Sequence, residues 1–198
     1  IIDAGQPFRV VVDYAHTVEA MKQLYEFVQK LRREKFFAGK IIHLLGGVGG
    51  GRDLAKRKIF GELAGAYADV VIATNEDPYD DDPMEIIREV AEGARGVTPS
   101  LPPPSRGRNC DPSTSSGNKF PSLEGRGSGR VILEILDRRE AIRKALSLAE
   151  PGDLVLLTGK GCEQAICGPR GSKTPWDDRN VMREELHRLS SRPPPMAG

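Results

Sequence analysis

Aromatic residues are scarce in this chain, 6% of 198 residues with a single tryptophan, and the 38% hydrophobic content allows one core but not a rich one. Cysteine is scarcer still. Cys110, Cys162 and Cys167 form no CxxC pair and no metal-type spacing with a histidine. The sequence therefore offers neither a metal site nor a disulfide framework, and free thiols in a reducing cytoplasm are the expectation. Charge of one sign is missing too: 29 Lys and Arg stand against 28 Asp and Glu, a net +1. Such a balance supplies no field to gather nucleic acid or a membrane surface. No apolar run approaches the ~20 residues of a spanning helix, and no stretch reads as a secretory leader. The chain opens at Ile1, not Met, and enters a core strand almost at once. A cut end with polypeptide upstream is the expectation.

What is present is a rhythm. "FRVVVDYAH" carries the continuous apolar run Val10-Val11-Val12, the pattern of a buried parallel strand. "TVEAMKQLYEFVQKLRRE" places Met21, Leu24, Phe27, Val28 and Leu31 at helical spacing, with Thr17 as N-cap and no capping box. "KIIHLLGG" and "DVVIATNEDP" read as strands, and "LAKRKIFGELAGAYA" as a helix. A further helix starts after Asp82 with Pro83 at its first position. Residues 97–130 break the rhythm: more than half are Pro, Ser or Gly, and they read as a flexible insertion. "VILEILD" then reads as a strand, with a helix left open as the alternative. "RREAIRKALSLAEPGD" is a helix with Ala141, Ile142, Ala145, Leu146 and Leu148 on its apolar side, ended by Pro151-Gly152. "LVLLTGKG" is a strand, "DDRNVMREELHRLSS" a last helix, and 191–198 a tail.

Alternation of this kind predicts an open, mostly parallel α/β sheet. Ligands of such sheets bind at the carboxyl ends of the strands. Four polar segments lie at those ends, "DYAHT", "GGVGGGRD", "TNEDP" and "TGKGCEQ", and should share one edge. The second holds five glycines in six residues, Gly46 to Gly51. It has the GxxxxG frame of a phosphate loop, but Arg52-Asp53 replaces Lys-Ser/Thr, so the magnesium-binding hydroxyl is missing. The dinucleotide pattern GxGxxG fails at Arg52 as well. Bare amides before a helix still suit an anion, and Arg52 adds a planar donor fork. The alternative is a plain turn with a solvent-facing arginine.

Five segments in order, "VVDYAHT", "GGVGGGRDLAKR", "ADVVIATNEDPYDDDP", "ILDRREAIRKAL" and "DLVLLTGKGCEQ", resemble the C-terminal domain of the Mur ligases over about residues 8–190, the insertion excepted. The nearest branch is the one that adds the third amino acid of the peptidoglycan stem peptide. The resemblance implies a three-layer, Rossmann-like, mostly parallel sheet. It implies one domain over residues 1–190 of a three-domain cytoplasmic enzyme whose UDP-sugar and ATP-binding domains are absent from this chain. The implied reaction is an ATP-dependent ligation. A carboxylate of UDP-N-acetylmuramoyl-dipeptide becomes an acyl phosphate, which the amine of the incoming amino acid attacks. ATP and Mg2+ are bound mainly by the central domain. No catalytic residue and no metal ligand is carried over to this chain, and alone it is expected to be inactive.

By the same resemblance, Asp13, Tyr14 and His16 lie against the nucleotide; the alternative is that Asp13 and Thr17 only cap the helix. Arg52 meets the carboxylate of the incoming amino acid. Lys56 and Arg57 add positive potential or form a solvated helix face. Glu76, Asp77, Pro78 and Tyr79 occupy the amino-acid selectivity motif, which reads Asp-Asn-Pro-Arg in members using meso-diaminopimelate. Tyr79 cannot supply that arginine's fork. The acidic run Glu76, Asp77, Asp80, Asp81 and Asp82 suits a side chain ending in an amine, so lysine or ornithine is expected over diaminopimelate, with Asp81 and Asp82 left in water. Gly159 and Glu163 hold the ammonium end, although Cys162 stands where the family has histidine. Lys160 meets a phosphate or an acidic partner, or is a surface charge. Trp176 anchors the last helix and is assigned no chemistry. Two other readings stay open: a related amide ligase of the folylpolyglutamate or cyanophycin type, and a stand-alone binding module without catalysis.

Overall fold

Runs of Val, Ile and Leu without polar alternation suit strands covered on both faces; of the five main strands, the three central ones are buried at every residue and the two at the edges only in part. The computed structural model describes residues 1–51, 54–97 and 130–191. In it the strands are β1 (Arg9–Val12), β2 (Ile41–Leu45), β3 (Val70–Thr74), β4 (Val131–Ile135) and β5 (Leu154–Leu157). All pair in parallel, in the order β1-β5-β2-β3-β4. The expected parallel α/β sheet is therefore present, and the segment left open between helix and strand is strand β4.

Five helices connect and follow the strands: α1 (Val18–Arg33), α2 (Leu54–Tyr67), α3 (Pro83–Arg95), α4 (Arg138–Leu148) and α5 (Asp178–Ser190). The starts of α1, α3, α4 and α5 are set by side-chain caps, each stabilising by about 1 kcal/mol. Thr17 Oγ1 accepts from the Ala20 N–H at 3.1 Å, and Asp82 Oδ1 from Met84 at 2.9 Å with Pro83 opening α3. Asp137 Oδ1 accepts from Glu140 at 2.8 Å at the head of α4.

Successive strand residues point to opposite faces. Ile41 and Leu45 of β2 join Leu154 and Leu156 of β5 in one core with Met21, Tyr25, Phe60 and Ile87 from α1, α2 and α3. Ile42 and Leu44 join Val155 and Leu157 in a second core with Ile142 of α4 and Met182 of α5. Each aliphatic side chain so buried contributes roughly 1.5–3 kcal/mol. The result is three layers, helix on sheet on helix. One apolar expectation is corrected: Phe27 is 52% exposed, because α1 turns its Met21, Leu24 and Val28 stripe onto the sheet.

Beyond β5 lies an element the sequence reading did not anticipate. Strands β6 (Ala165–Cys167) and β7 (Lys173–Pro175) form an antiparallel hairpin around a 3-10 turn at Pro169–Gly171. The insertion expected at 97–130 and the tail expected at 191–198 fall almost wholly outside the described residues, as do Cys110 and Arg52. Cys162 and Cys167 are free thiols. Among the described residues no helix is long and apolar enough to cross a membrane.

Candidate functional site

Because all five strands run the same way, their exit loops share one edge of the sheet. The edge is assembled loop by loop from short-range hydrogen bonds and a few charged side chains that cross between loops.

After β1, Asp13 Oδ1 accepts from the Ala15 N–H at 2.8 Å, a local turn. It does not cap α1, since Thr17 does. His16 Nδ1 lies 2.9 Å from the Tyr14 carbonyl, and its ring sits 4.5 Å from the Tyr14 ring, centroid to centroid. Both side chains reach solvent. The Tyr14 hydroxyl donates to Glu163 Oε1 at 2.6 Å. That bond, and the carboxylate charge beside it, push the Tyr14 pKa up to about 12.

After β2, the glycine-rich run packs against the loop that follows β3. Gly49 N–H donates to the Asp77 carbonyl at 2.7 Å, and Val48 and Asp77 form an isolated parallel bridge. The bare backbone at Gly46 and Gly49 thus serves close approach between two loops. Arg57, from the first turns of α2, is 4% exposed. It donates to the Val48 carbonyl at 3.1 Å, to Glu89 at 2.9 Å and to Asp81 at 2.6 Å. This corrects the reading of Arg57 as a solvated face and of Asp81 as a residue left in water.

After β3, the acidic run is largely neutralised from within. Asp77 accepts from Lys160 Nζ at 2.9 and 3.0 Å and from the Cys167 N–H at 2.7 Å. Asp80 accepts from the Arg170 N–H at 2.8 Å, and Asp82 caps α3. Tyr79, held at φ +49°, donates its N–H to the Cys167 carbonyl at 3.1 Å. The β6–β7 hairpin is thereby tied to this loop at three points. Glu76 differs from its neighbours. It is 5% exposed, and among the described residues no hydrogen bond reaches its carboxylate. It fits because two flanking positions lack side chains. A Cβ on Gly46 would lie 2.6 Å from the Glu76 Cβ, and one on Gly159 would lie 2.3 Å from its Oε2. Burial raises the Glu76 pKa to about 7, against the pull of Arg138.

After β5 comes "TGKGCEQ". Lys160 is wholly buried. Its ammonium bridges Asp77 and Glu163 Oε2, the latter at 2.5 Å. This corrects the surface-charge reading: the acidic partner is inside the chain. Burial works against the Lys160 charge, but the hydrogen bonds to Asp77 and Glu163 outweigh it and raise the pKa. Burial would likewise raise Glu163, yet its bonds from Lys160 and Tyr14 hold it below the usual carboxylate range. Tyr14, Glu163, Lys160 and Asp77 are thus one connected network crossing three loops.

Arg138, absent from the sequence-predicted set, lies behind this edge. It pairs with buried Asp178 and donates to backbone carbonyls of two exit loops. A signal existed, because a cation at the first position of a helix opposes the helix dipole and needs a reason. Trp176 donates its Nε1–H to Asp178 at 2.8 Å and packs on the second core, an anchor as expected. An open cleft of about 530 Å³ adjoins, between Asn75, Arg138, Ile166 and Trp176. A second buried polar chain, Tyr25 to His43 to Thr158 at 2.5 and 2.9 Å, supports the start of the β5 loop from below. Burial, then Arg138, lowers the His43 pKa to about 3, so it stays neutral.

The site therefore brings together Tyr14, Asp77, Lys160 and Glu163 directly, sets Glu76 against Gly159, and leaves Asp13 and His16 at the rim. Comparison with known proteins agrees with this architecture. The family model described as "Mur ligase, glutamate ligase domain" matches residues 1–161. The chain is 39% identical to UDP-N-acetylmuramyl-tripeptide synthetase of Roseiflexus sp. (strain RS-1), over 95% of this chain and 30% of that protein. It is 34% identical to a UDP-N-acetylmuramoyl-L-alanyl-D-glutamate--2,6-diaminopimelate ligase of Cytophaga hutchinsonii, over 91% of this chain and 30% of the relative. A solved structure of a ligase with that second name superposes with a TM-score of 0.70 at 26% identity, covering 97% of this chain and 31% of the other. The chain spans about 30% of the length of these curated relatives. It belongs to the Mur ligase family, as the C-terminal, glutamate ligase domain.

Proposed function

We propose that this domain delivers the amino acid in an ATP-dependent ligation that extends UDP-N-acetylmuramoyl-dipeptide by its third residue. It acts with the family's UDP-sugar and ATP-binding domains. The amine nitrogen bonds to the carbonyl carbon of an acyl phosphate and phosphate leaves, so the incoming ammonium must first lose a proton. Arg52 takes the α-carboxylate of the amino acid, and Gly159 and Glu163 flank its ammonium. Asp13, Tyr14 and His16 form the side turned to the nucleotide. Asp77 and Lys160 build the floor, since each is the other's counter-ion. Mg2+ and the ATP phosphates are held mainly by the central domain; among the described residues no group of three or more His, Cys, Asp or Glu is placed to hold a metal ion.

The observation that carries the reading is Glu76, a buried carboxylate without a hydrogen-bond partner among the described residues, at the edge where the family's selectivity motif lies. Asp77, Asp80, Asp81 and Asp82 are engaged within the chain, so the case for an amine-ended side chain narrows from an acidic run to this one residue. With Tyr79 in the arginine position, lysine or ornithine is favoured over meso-diaminopimelate. The test is phosphate release by the full gene product with UDP-N-acetylmuramoyl-dipeptide, ATP and each of the three amino acids. A higher kcat/KM for lysine or ornithine is expected. A higher value for diaminopimelate, which the names of several relatives carry, overturns the amine reading. No ligation with any of them overturns the function.

A further inference from the structure

Arg138 opens α4 and is 2% exposed. Its Nε and Nη2 meet Asp178 Oδ1 and Oδ2 at 2.8 and 2.7 Å, a two-pronged pair. The donors left over go to backbone. Nη1 reaches the Asn75 carbonyl and Nη2 the Thr158 carbonyl, both at 3.0 Å. Asn75 immediately precedes Glu76, and Thr158 immediately precedes Gly159 and Lys160.

The two loops so joined are not neighbours in the sheet. Strand β2 lies between β3 and β5 and pairs with both, so the two strands stand two spacings apart and no direct ladder joins their exit loops. Replacing a buried ion pair by apolar residues of like volume is often neutral for stability. Burying Arg138 and Asp178 is therefore weakly explained by stability alone. A planar fork with five donors can hold a carboxylate and two carbonyls at once; a lysine, being a point charge, cannot.

We propose that Arg138 is a positioning residue for amino-acid recognition, holding the exit loops of β3 and β5 at the separation that seats Glu76 against Gly159. Asp178 orients the fork, and Trp176 orients Asp178. The proposal rests on the reading of this edge as the seat of the incoming amino acid. The charged groups facing Glu76 are Arg138 and Asp178 from α4 and α5, Asp77 from its own loop and Lys160 from the β5 loop.

The experiment compares wild type, Arg138→Lys and Asp178→Asn in the full gene product by amide hydrogen exchange and by steady-state kinetics. In Arg138→Lys, amides of 75–79 and 158–163 exchange about tenfold faster or more, while the β2–β3 ladder is unchanged. The KM for the amino acid rises about tenfold or more, with the KM for ATP within about twofold, a tenfold change being ~1.4 kcal/mol. Asp178→Asn, which keeps the guanidinium, moves the same two loops in the same direction by less, and it carries the test if Arg138→Lys does not fold. Unchanged exchange at either loop overturns the proposal. So does faster exchange throughout with both KM values raised together, which marks general destabilisation. A wild-type protein that ligates nothing overturns the proposed function, and the exchange pattern then still decides the role of Arg138.

Discussion

Glutamine in place of Glu76 removes a charge that the fold disfavours, and the gain depends on pH. Burial lifts the Glu76 pKa from its ordinary 4.5 to about 7. Between those values the folded state keeps a proton that the unfolded chain releases, so wild-type stability falls as pH rises from about 4.5 to about 7 and then levels. At about 1.4 kcal/mol per pH unit the full penalty is roughly 3 kcal/mol, of which less than about 1 is present at pH 5. Glutamine has the same shape and does not titrate. Its unpaired amide and the protonated carboxyl desolvate at similar expense, so the two proteins should match closely near pH 5. At pH 8 Glu76→Gln should lead by about 2–3 kcal/mol, or roughly 5–10 °C in Tm for a chain of this size. Unfolding of the 198-residue chain, followed by the fluorescence of its single tryptophan, measures this at each pH. An offset constant from pH 5 to pH 8.5, or a less stable Glu76→Gln at pH 8, refutes the reasoning. The same variant should bind lysine or ornithine more weakly, the usual exchange of stability for function.

Two further outcomes follow from the network beside it. Lys160→Met leaves the Asp77 carboxylate buried without its cation and should destabilise by about 3–5 kcal/mol; adding Asp77→Asn should restore part of that loss in a urea double-mutant cycle, whereas simple additivity would refute the coupling. Tyr14 should titrate near 12 because its hydroxyl donates to Glu163; in Glu163→Gln the midpoint, read from the Tyr14 ring-carbon NMR shift, should move back toward 10, and an unmoved midpoint would refute the assignment.

The strands were legible because a buried parallel strand needs an unbroken apolar run, and "VVV", "IIHLL" and "LVLL" have one. The caps were legible because Thr17 and Asp82 act on residues two or three positions away. The hairpin was not: β6 and β7 are three residues each, half-buried or exposed, and neither long enough nor apolar enough to show a period. The acidic loop misled for a related reason. Counting carboxylates in "NEDPYDDDP" shows their density, but their partners Lys160 and Arg57 lie 83 and 24 residues away from Asp77 and Asp81 in sequence. Arg138 was hidden by the same distance, with its carbonyl partners 63 and 20 residues off. Local pattern reveals elements and caps, whereas the neutralisation of a charge is decided by chain crossings that no window of sequence contains.

The sheet order has a consequence for how the chain is made. Strand β1 pairs only with β5 in the sheet, Arg9 opposite Leu154. At ribosomal rates of 5–20 residues per second, the first strand emerges about 7–30 s before its partner. Through that interval β2, β3 and β4 can pair in sequence order, while Val10 to Val12 must wait beside an unfilled centre. Assembly is then completed by insertion of the last long strand between two that are already present, the kind of non-local closure that slows folding. A nascent chain stopped before residue 154 would carry Glu76 and Arg138 yet expose two unpaired strand edges, and would call on chaperones rather than substrate.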